Sequence, residues 1–276
     1  MTVRARTPLV VVDLDLTLIY SGGSLLRSGW GAPSHTEGLV QVEHHEASGS
    51  RSYVSASLRA QLDALRAVAM VVPVTTRTRA QFERVAALGT SEFDPSVCAN
   101  GAVMLISGEP DDAWASEVDH ETTPRFSVES VGRHLDSLGL SEKGVRFADG
   151  YFCYLVVDDT ERAETRLPAV QAELASHGWV ACLSGRKLYA LPADLTKAAA
   201  VERLARRVDA SAIVAVGDSI LDLPMLEMAD HSIAPAHADE AVREVVHYVT
   251  DSSGPPAGVE CLAAAMKWLE RGRAAC

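Results

Sequence analysis

A chain of 276 residues with 47% hydrophobic and 22% charged side chains has room for a core domain plus a smaller one, and can bury a core without staples. Its 37 acidic against 25 basic side chains leave a formal charge of -12 with no Lys/Arg-rich patch, a field that disfavours a nucleic-acid partner. Five scattered cysteines without a CxxC pair (Cys98, Cys153, Cys182, Cys261, Cys276) argue against a disulfide framework or a zinc site.

Arg4 and Arg6 precede an apolar run that meets Asp13 too soon for a signal peptide, and no run is long enough to span a bilayer. The expectation is a cytoplasmic protein with no membrane partner. That run, "VVVDLDLTLIYSG", reads as a strand over 9–14, buried on both faces and ending in Asp13 and Asp15. Two carboxylates so close at the end of a buried strand need a compensating charge.

Further along, "LVQVEHHEASGSRSYVSAS" predicts a hairpin turned at Ser48-Gly49-Ser50, carrying the adjacent histidines His44 and His45. Leu58, Leu62 and Leu65 mark a helix with Ser57 as its N-cap. "AMVVPVTT" is a second buried strand, followed by a helix over about 78–88 that stops at Gly89. "SVCANGAVMLI" reads as two short strands joined at Asn100-Gly101.

The polar, turn-rich stretch 107–126 reads as a linker into a second domain. There the pattern helix-strand-strand is given twice, with Pro168 placed to kink the second helix. From Leu195 the first texture returns: helix "TKAAAVERLARRV", strand "AIVAVGDS", helix "LPMLEMA", strand "VVHYVT" and a last helix over 257–270. The fold class expected is α/β, a parallel-sheet core over 1–110 and 191–276 interrupted by an inserted α+β domain over 111–190. Trp30, Trp114, Trp179 and Trp268 form no regular stripe and read as packing residues.

Three core strands end in polar residues, and in open parallel sheets ligands bind beyond those ends. The order of "DLDLTL", Thr75 in "VTTRT", Lys197 in "LTKAAAV" and Asp218 and Asp222 in "GDSILD" resembles the haloacid dehalogenase superfamily of phosphohydrolases. "VCANGA", "GDSILDLPML" and the tail "ADHSIAPAHADEAVREVVHYVTDSSGPPAGV" resemble its Cof-type branch, whose type II cap is inserted where this chain changes texture.

The resemblance implies a Rossmann-like capped core and a magnesium-dependent phosphatase working through an aspartyl-phosphate. Asp13 would be nucleophile and metal ligand, Asp15 the acid and base with a backbone carbonyl on the metal, and Thr75 a phosphoryl donor. Lys197 would hold Asp13 and the phosphate; Asp218 would ligate the metal directly, and Asp222 would belong to the metal site by orienting the ion or its waters. Crowding among these acids is expected to raise the Asp15 carboxyl. Thr76, Arg77, Asn100 and, on the cap, Arg186 and Lys187 are the candidates for binding substrate. Leu16 replaces the usual glycine of the first motif, and Leu221 the usual asparagine of the last. The partner expected is a small phosphorylated metabolite, a sugar phosphate first and a nucleotide next. A phosphotransferase or phosphomutase on the same fold, and a non-catalytic module, are the alternatives.

Overall fold

The computed structural model describes residues 7–31, 38–45, 49–85, 93–122 and 126–274. Its centre is β1 (Leu9–Val12), whose four residues are all fully buried. Strand alternation sends Leu9 and Val11 to one face and Val10 and Val12 to the other. β1 pairs in parallel with β5 (Met70–Pro73) on one side and β13 (Ile213–Val216) on the other. β14 (His231–Ala234) and β15 (Tyr248–Val249) extend the sheet to the order β15-β14-β13-β1-β5.

Helices cover both faces, as a parallel sheet requires. α7 (Lys197–Val208) and α8 (Leu223–Met228) place Val201, Leu204, Met225 and Leu226 in the cluster of Leu9 and Val11. α2 (Leu58–Arg66) and α10 (Pro255–Ala274) close the other face with Leu62, Leu65, Cys261 and Leu262. Ser57 stands at the N-cap of α2 by position, but its side chain makes no capping bond there. Short α9 (Glu240–Val245) takes up much of the stretch before β15, which leaves that last strand only two residues.

Behind β1 the chain forms β2 (Tyr20–Ser21), α1 (Gly22–Arg27) and the expected antiparallel pair β3 (Leu39–His45) and β4 (Ser50–Ser55). Ser48 of its turn lies outside the described residues. A register shift between Gln41 and Glu43 lets consecutive Val42 and Glu43 both be buried, which regular alternation forbids. α3 (Arg79–Glu83) opens on a capping box in which Thr78 and Gln81 bond reciprocally; the expected stop at Gly89 lies outside the described residues.

β6 (Ser96–Cys98) and β7 (Val103–Ile106) pair as expected, and β8 (Glu109–Pro110) joins them. The stretch read as a linker contains a helix, α4 (Asp112–Glu121). Asp111 caps it by accepting from the Trp114 backbone N–H at 2.7 Å, and fully buried Trp114 donates Nε1–H to the Gly101 carbonyl at 2.9 Å. Trp114 and Val118 anchor this helix on the core, and the Arg203 guanidinium lies 4.6 Å over the indole.

The insertion holds α5 (Val128–Ser137), β9 (Val145–Ala148), β10 (Phe152–Val156), α6 (Thr160–Ala175), β11 (Trp179–Ser184) and β12 (Lys187–Pro192). The repeated helix-strand-strand units merge into one antiparallel sheet, ordered β11-β12-β10-β9. Pro168 sits inside α6, which continues as one helix across it. No helix among the described residues is long and apolar enough to cross a membrane.

The turn between β6 and β7 has three consecutive residues at positive φ: Ala99 (49°), Asn100 (57°) and Gly101 (110°). A Cβ at Gly101 would lie 2.9 Å from Ala200 Cβ and 3.0 Å from the Thr196 carbonyl oxygen, at the start of α7. Gly101→Ala is therefore expected to destabilise the fold by about 2 kcal/mol, read from urea denaturation midpoints. An unchanged midpoint would contradict this packing.

Candidate active site

The carboxyl ends of the core strands meet in one cleft of about 710 Å³, with the cap sheet as its other wall. Asp13 and Asp15 follow β1, Thr75, Thr76 and Arg77 follow β5, Asp218 follows β13, and Lys197 opens α7. The structure thus brings together residues from opposite ends of the sequence.

Lys197 is almost completely buried. Its Nζ donates to Asp13 Oδ1 at 2.5 Å and to Asp222 Oδ1 at 2.5 Å. The second oxygen of Asp222 accepts from the Asp218 and Ser219 backbone N–H groups at 3.1 and 3.0 Å and from Ser219 Oγ at 2.9 Å. Both Asp222 oxygens are therefore engaged, and its side chain lies behind the cleft rather than on its wall. Gly217 makes this possible, because a Cβ there would stand 2.6 Å from Asp222 Cβ.

Thr17 Oγ1, which the sequence reading passed over, lies 2.9 Å from Asp218 Oδ1 and 3.4 Å from Asp13 Oδ2. It is the last residue of "DLDLT", and that position was the available signal.

Burial pushes the Asp13 carboxyl up to about 7 despite the opposing pull of Lys197, and Asp222 and Asp15 add to the rise. Burial raises Asp218 well above the ordinary carboxylate value, helped by Asp13 and Asp222. Ligand oxygens of Asp13, Asp218 and Asp222 lie within 4.8 Å of one another. With all three carboxylates ionised, as a bound cation would require, the single Lys197 ammonium would leave two negative charges for that cation to offset. An all-oxygen donor set with that excess fits a hard divalent cation such as Mg²⁺.

Asp15 behaves differently. Burial works to raise its carboxyl, but Arg77 and then Lys187 outweigh it and hold it below the ordinary value, opposite to the rise expected from acid crowding. The Arg77 guanidinium donates to Asp15 Oδ1 from Nη2 at 2.8 Å and to Glu43 Oε2 from Nη1 at 3.1 Å. Glu43, 7% exposed, also accepts from Ser52 Oγ at 2.8 Å and Arg84 Nε at 3.1 Å. Sequence reasoning missed Glu43, since a single acid in a hairpin strand reads as solvated.

The remaining substrate candidates divide. Thr76 and Lys187 line the cleft, and Arg186 lines it while donating to the Val157 carbonyl from Nε at 3.2 Å and Nη2 at 2.8 Å. Arg77 lines it too, but its donors are taken by Asp15, Glu43 and the Gln81 carbonyl. Asn100 corrects the expectation: it does not reach the cleft. Its buried side chain donates to the Leu195 carbonyl at 2.8 Å, fastening the turn to the segment before Lys197. Fully buried Thr75 accepts from the Arg77 backbone N–H at 3.2 Å. Leu16 stands at φ 63°, a left-handed conformation that accounts for glycine being usual there. His44 and His45 occupy β3, but their side chains lie outside the described residues.

Burial also works to raise Glu43, and Arg77, Ser52 and Arg84 hold it low. Both carboxylates paired with Arg77 therefore sit below their unfolded values. Their stabilisation is complete above about pH 4 and is lost as pH falls through the folded values. Arg77→Ala is expected to cost about 3 kcal/mol at pH 7 by leaving buried Glu43 undercompensated. That cost should shrink toward pH 4, because Glu43 of the variant, buried without Arg77, takes up a proton at a higher pH than in the wild type. Urea titrations at several pH values measure it, and a pH-independent cost would show that only packing was lost.

A family model described as haloacid dehalogenase-like hydrolase matches residues 149–260. A phosphoglycolate phosphatase of Archaeoglobus fulgidus is 25% identical over 203 residues, covering 73% of this chain and 85% of the relative. The sucrose-phosphatase of Synechocystis sp. PCC6803, solved with sucrose and phosphate, superposes with a TM-score of 0.65 at 14% identity, over 96% of this chain and 98% of that one. A HAD/COF-like hydrolase from Plasmodium vivax superposes at 0.60 with 15% identity, over 96% and 98%. Residues 149–260 thus match the haloacid dehalogenase-like hydrolase model, and the chain shares its fold with these solved phosphatase and hydrolase structures.

Proposed function

We propose that this chain is a magnesium-dependent phosphatase that hydrolyses a small phosphate monoester, a sugar phosphate in the first instance, through an aspartyl-phosphate on Asp13. The observation that carries the reading is the division of labour between the oxygens of Asp13. Oδ1 is tied to Lys197, whereas Oδ2 has only the long 3.4 Å contact with Thr17. A carboxylate oxygen without a strong donor, on the wall of a cleft and beside a fixed ammonium, is suited to nucleophilic attack.

Asp13 Oδ2 would attack phosphorus as the bond from phosphorus to the ester oxygen breaks, and Asp15 would give its proton to the departing oxygen. In the second step Asp15 would take a proton from water, which attacks phosphorus, returning Asp13 as a carboxylate and releasing inorganic phosphate. Asp15 rests ionised beside Arg77, and arrival of an anionic phosphoryl group next to it favours the protonated form needed first. Lys197 would keep Asp13 aimed and meet charge on the phosphoryl oxygens. Asp222 is a positioning residue, holding Lys197 with one oxygen and the 218–219 backbone with the other. Asp13 and Asp218 would hold the cation, which when bound supplies charge neutralisation for the carboxylates and the phosphoryl group.

Curated relatives are named phosphoglycolate phosphatase and a structural neighbour sucrose-phosphatase, and a cleft of about 710 Å³ suits a small phosphate ester. Phosphate release from a panel of phosphorylated metabolites is expected to require Mg²⁺ and to fall at least about 10³-fold in Asp13→Asn. Equal release by the variant would overturn the assignment, and transfer to added alcohols exceeding release would favour a phosphotransferase.

Metal binding is testable without turnover. Saturating Mg²⁺ at about 100 times its Kd should stabilise the fold by about 2.7 kcal/mol, seen as a rise in Tm that Asp218→Asn abolishes. An unchanged Tm in the wild type would contradict the proposed metal site.

A further inference from the structure

Register across the cap sheet sets the chemistry of the cleft's second wall. Arg146, Tyr154, Tyr189 and Cys182 lie directly opposite one another across β9, β10, β12 and β11. Val156, Lys187 and Ser184 form the next row on the same face, since residues two apart share a face. Six of these seven line the cleft. They offer two cations, two phenols and a hydroxyl, but no carboxylate.

Three core-side cations of the cleft are paired with carboxylates, Lys197 with Asp13 and Asp222, Arg77 with Asp15 and Glu43, and Arg84 with Glu43, whereas Arg27, which also lines it, makes no ion pair among the described residues. The two cap cations of these rows are in no direct ion pair among the described residues either. Arg146 is exposed and makes no ion pair or side-chain hydrogen bond among the described residues, and Lys187 is in no salt bridge. Lys187 Nζ lies 5.7 and 5.8 Å from the ring centroids of Tyr154 and Tyr189 and faces the Asp15 charge across the cleft. In a chain with 37 acidic side chains, a site wall that collects cations and excludes carboxylates calls for an anion from outside the protein.

The reacting phosphate is to be held beside Asp13 and Lys197, so the cap wall meets the other end of the substrate. We propose that Arg146 and Lys187 bind a second anionic group on the alcohol part of the ester. The substrate is then a phosphate monoester whose alcohol carries a carboxylate or another phosphate. Arg146 offers a planar fork for either group and Lys187 a point charge, while Tyr154 and Tyr189 supply phenol hydroxyls beside them. This inference rests on the phosphatase reading and narrows its substrate class.

Matched esters test it. In wild-type enzyme with Mg²⁺, kcat/KM should be about 10- to 100-fold higher for 3-phosphoglycerate than for glycerol 3-phosphate, and for 6-phosphogluconate than for glucose 6-phosphate. Glucose 1,6-bisphosphate against glucose 6-phosphate asks whether a second phosphate serves as well as a carboxylate. Arg146→Ala and Lys187→Met should bring the ratios to within about threefold of unity. Arg133→Ala, which removes an exposed cation on α5, should leave them unchanged. Wild-type ratios near one in every pair, with metal-dependent turnover intact, would overturn the inference and leave the phosphatase reading standing. If no ester were hydrolysed, the phosphatase reading would fall, and calorimetry on Asp13→Asn would still decide the inference. At least tenfold tighter binding of 3-phosphoglycerate than of glycerol 3-phosphate, lost in the Arg146 double variant, supports it, and equal affinities overturn it.

Discussion

One buried ammonium organises this molecule. Lys197 bridges Asp13 and Asp222, and so joins the end of β1 to the loop after β13 through the first residue of α7. Burying two carboxylates side by side is costly without a cation between them, and burying the ammonium is costly without them. The neighbouring backbone serves this contact: Asn100 holds the Leu195 carbonyl, Gly101 lets the turn close against Thr196, and Gly217 leaves room for Asp222. Asp218 adds a third acid that the ammonium does not contact, and the three carboxylates together form the cluster that would hold the proposed divalent cation.

A second cluster, built on Arg77, sets the state of Asp15. Glu43 has no direct part in the proposed chemistry, yet it holds the guanidinium that in turn holds Asp15 ionised. The bulge in β3 is the backbone feature that turns Glu43 inward beside Val42. Two carboxylates two residues apart thus sit in opposite environments: Asp13 is raised by burial, and Asp15 is lowered by its cations. Such separation allows one carboxyl to act as nucleophile while its neighbour moves protons.

Much of this was legible in the sequence, for a physical reason. Residues at strand ends and helix starts are fixed by local pattern, so "VVVDLD", "TKAAAV" and "AVGDS" announced both the elements and the side chains they present. The doubled helix-strand-strand pattern likewise predicted the cap, although not the order in which its strands pair. What escaped depends on contacts distant in sequence or on register. Glu43 gains meaning from Arg77, 34 residues away. Asn100 was read toward the cleft, but its backbone at φ 57° turns the amide to Leu195. α4 was hidden because only Trp114 and Val118 of its ten residues are buried, too few to mark an apolar helical face. The cationic cap face appears only when four strands are aligned, since Arg146 and Lys187 are 41 positions apart in the chain.

The most direct test of this account is to find the phosphoryl group on the enzyme. Asp15→Asn, mixed rapidly with a hydrolysable ester and Mg²⁺ and quenched in acid, lacks the base for the second step. Any enzyme that reacts should therefore accumulate phosphate on a hydroxylamine-sensitive acyl linkage. Peptide mass spectrometry is expected to locate it at Asp13. Phosphate on another residue, or turnover by the wild type without any trapped phosphoenzyme in the variant, would contradict the central role given to Asp13.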